Sequence, residues 1–424
     1  MIRKLKPKSE FSRNVLTLMT GTTIAQAIPI AISPILTRIY SPKEFGIFAL
    51  YTSIASIIAL IAGGRYEQAI MLPKKEGDAM NILVLSTVLS IIVSLVSLII
   101  VSVFNTQITN LLGNPEISNW LYFIPLTVLL TGMYQSFNYW SNRKKHYKRL
   151  ATSRVVQSTT AASTNLALGF GGFGSSGLIM GFIAGQGMSM LMLGKGIWKE
   201  DKKLGERVHR LKITALAKKY SKFPKFNLPN ALIDNIRISG INILIAKFFT
   251  TGVLGQFSLA WRMVQAPMML IGSSLTQVFF QKIATAQKND LERIIKKFMV
   301  KAAIVAAPIF MIIYLFAEDI FALVFGNNWK VAGEAASIMA PWLFLNFLTS
   351  PLSTIFIVLN RQELVLAFST VYMMVPLGLL FTFNHLDFLE LLGIVTFLMS
   401  MMLVLFILMV FVVIRANRTT VSMD

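Results

Sequence analysis

The chain is 424 residues long, 55% hydrophobic and only 14% charged, with a mean hydropathy of +0.65, whereas an ordinary soluble domain carries about 25% charged residues. The absence of cysteine excludes disulfides, thiolate metal sites and cysteine chemistry, and two of the three histidines (His146, His209) sit in basic connecting segments where no metal site is expected. The net charge of +21 is concentrated in such segments, with no module interleaving basic and aromatic residues, so nucleic acid is not expected as a partner.

Crossing a bilayer takes about 20 apolar residues. In chain order, stretches of that kind are predicted at 14–36, 45–63, 80–104, 119–139, 151–169, 177–197, 229–248, 253–279, 299–316, 335–359, 363–383 and 389–414, about twelve in all. The first is too long for a signal-peptide core and reads as a retained helix. The segments between the spans alternate between nearly bare and basic. The first holds only Arg38 and Lys43, and the second carries Arg65, Lys74 and Lys75. The third has no basic residue, and the fourth reads Arg143, Lys144, Lys145, Lys148, Arg149. After the uncharged, glycine-rich Gly169–Gly177 comes the largest basic block, Lys195 to Lys225. Lys and Arg are retained on the cytoplasmic side. The basic segments are therefore expected to face the cytoplasm, with both termini (Arg3, Lys4, Lys6, Lys8 and Arg13; Arg415 and Arg418). There they would also meet an anionic leaflet of membrane lipids. The fold class is an all-α polytopic membrane protein.

The basic block splits the pattern six and six: an N-terminal lobe at 1–197, a linker at 198–228 and a C-terminal lobe at 229–424. A shift of about 209 positions lays Arg38-Ile39-Tyr40 on Lys247-Phe248-Phe249 and Phe45–Leu50 on Leu254–Leu259. A slightly larger one sets Ser141-Asn142-Arg143 against Leu359-Asn360-Arg361. Six spans per half give both lobes the same orientation, so the pseudo-two-fold axis is expected along the membrane normal. Parallel repeats of this kind mark transporters, with a substrate site near mid-membrane, although a duplicated scaffold without moving parts has the same pattern. Within the linker, Val208, Leu211, Ile213, Leu216 and Tyr220 alternate with Arg207, Arg210, Lys212, Lys218 and Lys219. Two readings fit: an amphipathic helix on the inner leaflet, or a solvated charged loop.

Charges inside spans are the strongest functional signal, since one Arg or Asp at a helix centre costs about 2.5–3.5 kcal/mol on insertion scales. In the seventh span, Asn227, Asn230, Asp234 and Arg237 fall on one narrow helical face, and Asn235, Ser239 and Asn242 form a second stripe. A span polar on two faces is expected to border a cavity. The eighth span carries Arg262, with Ser258, Gln265, Ser273 and Thr276 near the same face. Asp234 and Arg237, three apart, suit either a local ion pair or separate roles. Arg262 then leaves the cavity net positive, and arginine's planar fork suits phosphate. The first span presents Thr22, Gln26, Ser33 and Thr37 on one face, broken by Pro29 and Pro34, which suits either a cavity-lining helix or core packing. At the inner end of the second span, Arg65 and Glu67 follow the pair Gly63-Gly64.

At these same places the chain resembles the polysaccharide (Wzx-type O-antigen/oligosaccharide) flippases. They belong to the superfamily that also holds the multidrug and toxin extruders and the lipid II flippases. Leu36–Gly46 looks like the family's segment joining helices one and two, and Arg65–Pro73 is similar to its stretch after helix two. Phe257–Met263, continuing through Ile271-Gly272 to Gln277–Phe280, resembles its eighth helix, and Phe325–Trp329 its outer loop before helix ten. The resemblance implies twelve helices in two lobes in a bacterial inner (cytoplasmic) membrane, with a cationic cavity opening alternately to each side. The implied cargo is an undecaprenyl-diphosphate-linked oligosaccharide, moved to the outer leaflet for O-antigen, capsule or exopolysaccharide assembly, beside the polysaccharide assembly machinery. A proton or sodium gradient is the implied drive, no cofactor is implied, and Asp234, Glu67 and Arg65 are the candidates for coupling or gating. Arg237, Arg262, Asn230, Gln26 and Gln265 are the candidates for binding.

A drug or cation extruder of the same fold would favour a cavity rich in carboxylates and aromatics. A membrane polymerase or ligase would carry clustered polar residues on sizeable outer loops. Here the outer segments are short, the longest spanning 317–334, and hold no acid–base constellation. The chain is therefore read as a transporter and not as an enzyme.

Overall fold

In the computed structural model, the described residues are 10–419 apart from 285, 287–289 and 360. The N-terminal Arg3, Lys4, Lys6 and Lys8, and Asn360 of the internal match, lie outside them. Among the described residues the chain forms twelve helices of at least 20 residues. These are α1 (Glu10–Ile39), α2 (Pro42–Ala62), α3 (Glu76–Leu112), α4 (Ile124–Arg143), α5 (Tyr147–Phe170) and α6 (Ser175–Gly205). After the linker come α7 (Leu228–Phe248), α8 (Thr251–Ala284), α9 (Leu291–Phe325), α10 (Lys330–Thr349), α11 (Gln362–Thr382) and α12 (Phe388–Thr419). Each predicted span has its helix. The repeat also shows in the breaks: α1 ends at Ile39 and α2 starts at Pro42, while α7 ends at Phe248 and α8 starts at Thr251, 209 positions later in both cases.

By length and apolarity, eight of the described helices qualify to cross a membrane, or nine when the bent pair Pro115–Leu121 and Ile124–Arg143 counts as one span. The long helices outside that count are α5, α7 and α8. They are the ones that carry Arg154, Arg237 and Arg262.

The described residues divide into two compact units, with the boundary between Lys247 and Phe248. In the first, α2 begins with a capping box written in Ser41-Pro42-Lys43-Glu44: the Glu44 carboxylate accepts from the Ser41 amide at 2.6 Å, and the Ser41 hydroxyl accepts from the Glu44 amide. Pro29 in α1 cannot donate to the Ala25 carbonyl four residues back, and the Ser158 hydroxyl of α5 donates to that carbonyl at 2.7 Å instead. Small residues bring α5 and α6 together. Gly181 and Gly185 sit so close to α5 that an added Cβ would lie 2.9 Å from the Ala161 carbonyl oxygen and 2.6 Å from that of Gln157. Serines on α3 face α4: Ser86 donates to Ser136 at 2.9 Å and Ser94 to the Pro125 carbonyl at 2.7 Å.

Side-chain contacts also group the connecting segments by end. At the bare end Lys43 pairs with Glu116. At the basic end Lys144 reaches Glu76 at 2.6 Å and Asp201 at 3.2 Å, and the Trp140 indole donates to Asp201 at 2.8 Å. The linker contains a helix, Arg210–Lys219, rather than a solvated loop. Its Leu216 is buried in a cluster with Tyr66, Ile70, Ile82 and Trp140, and Leu211 faces outward, 86% exposed. In the second unit, Gln256 of α8 holds the turn before α10, donating to the Asn328 carbonyl at 2.6 Å and accepting from the Ala332 amide at 2.9 Å. Trp342 of α10 donates to the Tyr372 hydroxyl of α11 at 2.6 Å.

The absence of native cysteine allows single-cysteine labelling of the ends. Exposed positions at the bare end, Asn119→Cys and Phe173→Cys, are expected to react with an impermeant maleimide on intact cells. Exposed positions at the basic end, Lys203→Cys and Lys219→Cys, are expected to react only after permeabilisation. Labelling of Lys219→Cys in intact cells would overturn the six-plus-six topology.

Candidate functional site

The chain leaves α2 through Gly63, Gly64 and Arg65, the last two with φ of 59° and 62°. Arg65 thus occupies left-handed backbone space that favours glycine, and the turn delivers one helical turn, Tyr66–Ala69, beneath the end of α2. Glu67 lies there, 6% exposed. Its Oε1 is 3.9 Å from the Arg65 guanidinium, and its Oε2 has no hydrogen-bond partner among the described residues. Burial holds the Glu67 carboxyl above the usual carboxylate range, against smaller downward pulls from a backbone hydrogen bond and from Arg65. An added Cβ at Gly63 would lie 2.4 Å from Glu67 Oε2, so the glycine makes room for the acid. The rest of the stretch is pinned structurally. Tyr66 donates to the Ala217 carbonyl at 2.9 Å, and Arg143 donates to the Ile70, Met71 and Pro73 carbonyls at 3.1, 3.2 and 2.7 Å.

The two polar stripes of α7 part company. The span was expected to border a cavity and to present neither face to hydrocarbon, and its second stripe forms a seam with α2. The Asn242 amide donates to Ser53 at 2.9 Å, Ser239 and Ser56 share a hydrogen bond at 3.0 Å, and Asn235 accepts from Ser239 at 3.2 Å. The geometric reason is that Ser53 and Ser56 present a matching polar face on α2. The first stripe stays away from that seam: Asn230 and Asp234 are exposed, Arg237 is half-buried, and Asn227 accepts from Arg65 Nε at 3.0 Å. Where the chain enters α7, a cleft of about 310 Å³ is lined by Lys222, Phe223, Phe226, Asn227 and Asn230.

Gln26 is half-buried on α1, one turn beyond Thr22. Thr22 accepts from the guanidinium of Arg154, two turns into α5. Sequence reading missed Arg154 as a charge within a span, because it closely follows the basic run ending at Arg149. Its place inside the predicted stretch 151–169 was the available signal. Arg65, Glu67 and Asn230 are thus gathered at the basic end of the first unit, with Arg154 beside the Gln26 face. Arg262, exposed, and Gln265, half-buried, lie on α8 in the second unit. The side chains of Ser273, Ile271, Gly272, Gln277 and Val278 lie outside the described residues.

The profile of the family described as polysaccharide biosynthesis protein matches residues 35–334. The chain is 22% identical over 339 residues to the succinoglycan biosynthesis transport protein ExoT of Rhizobium meliloti (strain 1021), covering 78% of this chain and 65% of that protein. It is 20% identical over 306 residues to the probable low-salt glycan biosynthesis flippase Agl15 of Haloferax volcanii, covering 70% and 61%. It thus spans less than two-thirds of the length of either relative. Among solved structures, an inward-facing multidrug resistance MATE family transporter of the MOP superfamily superposes with a TM-score of 0.69 at 16% identity, over 95% of this chain and 96% of that one. A MOP superfamily transporter from Pyrococcus furiosus, described as having a binding pocket of reverse polarity, gives 0.57 at 16% identity over 96% of each chain. At that identity the likeness is one of fold: twelve transmembrane helices in two lobes.

The Gly63–Glu67 contact has a measurable signature. Because the atom met is the end of a flexible side chain, Gly63→Ala is expected to push the Glu67 carboxylate aside and to destabilise the protein by no more than about 1 kcal/mol, and Glu67→Ser in the same chain to recover much of that loss. Because the folded state raises the Glu67 value, its contribution is whole in acid and is lost as pH climbs through that raised value. The thermal stability of the wild type relative to Glu67→Gln is therefore expected to fall as pH increases. A difference that does not change with pH would reject a titrating Glu67.

Proposed function

Because the chain belongs to the polysaccharide biosynthesis protein family, we propose that it is a flippase. In this reading it moves undecaprenyl-diphosphate-linked oligosaccharide units from the cytoplasmic to the outer leaflet for surface polysaccharide assembly. The observation that carries this reading is the placement of Arg154, Arg237 and Arg262 within helices of a transporter fold. Each such charge opposes insertion by about 2.5–3.5 kcal/mol, and each offers the forked donor that a diphosphate needs. A carrier of cationic drugs would have no use for three arginines in its spans.

The protein is multi-pass, and its membrane in this reading is the bacterial cytoplasmic membrane, with the basic end and both termini inside. The lobes follow the repeat, 1–197 and 229–424 joined by 198–228, and access alternates between the two leaflets. Arg237, Arg262, Asn230, Gln26 and Gln265 contact the cargo, and Arg154 joins them through the Thr22–Gln26 face. Asp234, Glu67 and Arg65 serve coupling or gating, with a proton or sodium ion as the drive. Among them, Glu67 is the better-placed proton carrier, because its carboxyl is buried and its second oxygen has no hydrogen-bond partner among the described residues.

Deletion is expected to trap lipid-linked oligosaccharide on the cytoplasmic leaflet, measured by accessibility of the glycan to an added lectin in inside-out vesicles. Arg154→Ala, Arg237→Ala and Arg262→Ala are each expected to lower surface polysaccharide by about tenfold or more, the effect of losing one charge-assisted hydrogen bond. Lysine at the same positions is expected to restore part of it. Full export by the Arg237→Ala, Arg262→Ala double variant would reject a cationic cargo site.

Asp234 is tested by charge removal in pairs. If it only neutralises Arg237, the Asp234→Asn, Arg237→Gln double variant should recover export lost in the single variants. If it carries the coupling ion, the double variant should reach the membrane at normal abundance and still fail to export. Surface polysaccharide and membrane abundance, measured on all three variants, separate the two roles.

A further inference from the structure

The cleft at the entry to α7 is not needed to explain the fold, and its lining has the chemistry of a lipid phosphate. Between the linker helix and α7 the chain makes a widened turn, Phe223–Asn227, with Pro224 as its second residue and Pro229 two residues after it. Wide turns of this kind leave the regular helical ladder and concentrate at functional sites. Phe223 is half-buried against the cluster of Tyr66 and Leu216, while Phe226, one turn on, is 69% exposed. Lys222 at the rim is exposed and makes no ion pair among the described residues, and Lys225 beside it is exposed as well. Asn227 and Asn230 supply amide groups, and Arg65 fixes Asn227 from behind at 3.0 Å. An ammonium, two carboxamides and two aromatic rings around about 310 Å³ suit an anionic headgroup attached to an apolar chain.

We propose that this cleft is the loading site for a lipid carrying a diphosphate headgroup, entered from the leaflet at the basic end and distinct from the arginines of α7 and α8. Lys222 and Asn230 meet the phosphate oxygens, and Phe223 and Phe226 flank the first units of the lipid chain. Lys222 in the lining and the exposed Lys225 three residues on offer two positive charges, which favours a diphosphate, carrying more than one negative charge, over a phosphodiester headgroup with a single one. The inference rests on the flippase reading for the identity of the cargo, but not for the binding itself.

The experiment uses the full chain in nanodiscs of phosphatidylcholine, with radiolabelled geranylgeranyl diphosphate as the probe. Wild type is expected to bind it, and Lys222→Ala and Phe226→Ala each to weaken binding about tenfold, the scale of one charge-assisted contact or one buried ring. Lys222→Arg is expected to retain binding. Geranylgeraniol, inorganic pyrophosphate and phosphatidylglycerol are each expected to compete at least about tenfold less well than the unlabelled probe. Both positions are solvent-exposed, so the variants are expected to keep the wild-type unfolding midpoint. Phe226→Leu, which keeps apolar bulk, serves if Phe226→Ala does not. Wild-type binding by the Lys222→Ala, Phe226→Leu double variant would overturn the site. Equal competition by pyrophosphate or phosphatidylglycerol would overturn the lipid-diphosphate assignment. Failure of the flippase reading shows elsewhere: a deletion strain with normal glycan export rejects that function, while probe binding lost on Lys222→Ala still supports the cleft.

Discussion

A polar group carried into hydrocarbon must find its partner within the protein, because no water is there to receive it. Much of the packing in the first unit follows from that requirement. Pro29 strips the Ala25 carbonyl of its helical donor, and Ser158 of α5 supplies another. Ser94 reaches the Pro125 carbonyl near the start of α4, and Ser53 and Ser56 receive the amide-rich stripe of α7. Each such bond inside a membrane protein contributes only about 0.6 kcal/mol. They therefore fix which helix faces align, while cohesion comes from close approach. Gly181 and Gly185 let the α5 and α6 backbones meet, where lipid tails offer no hydrophobic drive for association.

The arginines of α5, α7 and α8 ask more of their surroundings than these serines and asparagines do. A serine or asparagine can be satisfied by one carbonyl on a neighbouring helix, whereas a guanidinium carries five donors and a full charge. The helices that bear Arg154, Arg237 and Arg262 fall outside the set apolar enough to qualify as spans alone. Other arginines in the first unit are used to hold backbone: Arg143 takes up three carbonyls of the turn after α2.

The sequence was most legible where one residue type carries the signal. Runs of apolar residues mark all twelve helices, and the repeat is visible at Arg38–Tyr40 and Lys247–Phe249 because the same break between helices recurs 209 positions on. The polar stripes of α7 were legible as faces, but a face does not name its neighbour. That Asn235, Ser239 and Asn242 meet α2 depends on Ser53 and Ser56, which carry no mark in sequence beyond being serines. Gly63 and Glu67 were legible as neighbours, but not as a steric pair: only the left-handed turn at Gly64 and Arg65 brings the carboxylate back over the glycine. Arg154 was hidden by its proximity to a basic segment. The likeness of Arg65–Pro73 to the stretch after helix two was legible without its cause. In the structure its residues hold the end of α2, the linker helix and α4 together.

The seam also changes what α7 can do. By the repeat, α7 is the counterpart of α1, yet the two helices meet cations differently: α1 offers Thr22 to an arginine supplied by α5, whereas α7 carries its own. A helix held to α2 by one polar face keeps a defined rotation about its axis. That rotation decides where the other polar face points, so Asn230, Asp234 and Arg237 owe their common direction to Asn235, Ser239 and Asn242. The entry cleft sits one turn before Asp234 on the same stripe, through Asn227 and Asn230. Loosening the seam would therefore turn the cleft and the charged stripe together, although none of the seam residues contacts an anion in the proposed scheme. The two stripes of α7 are thus coupled through the helix that carries both, the seam setting the direction of the charged stripe.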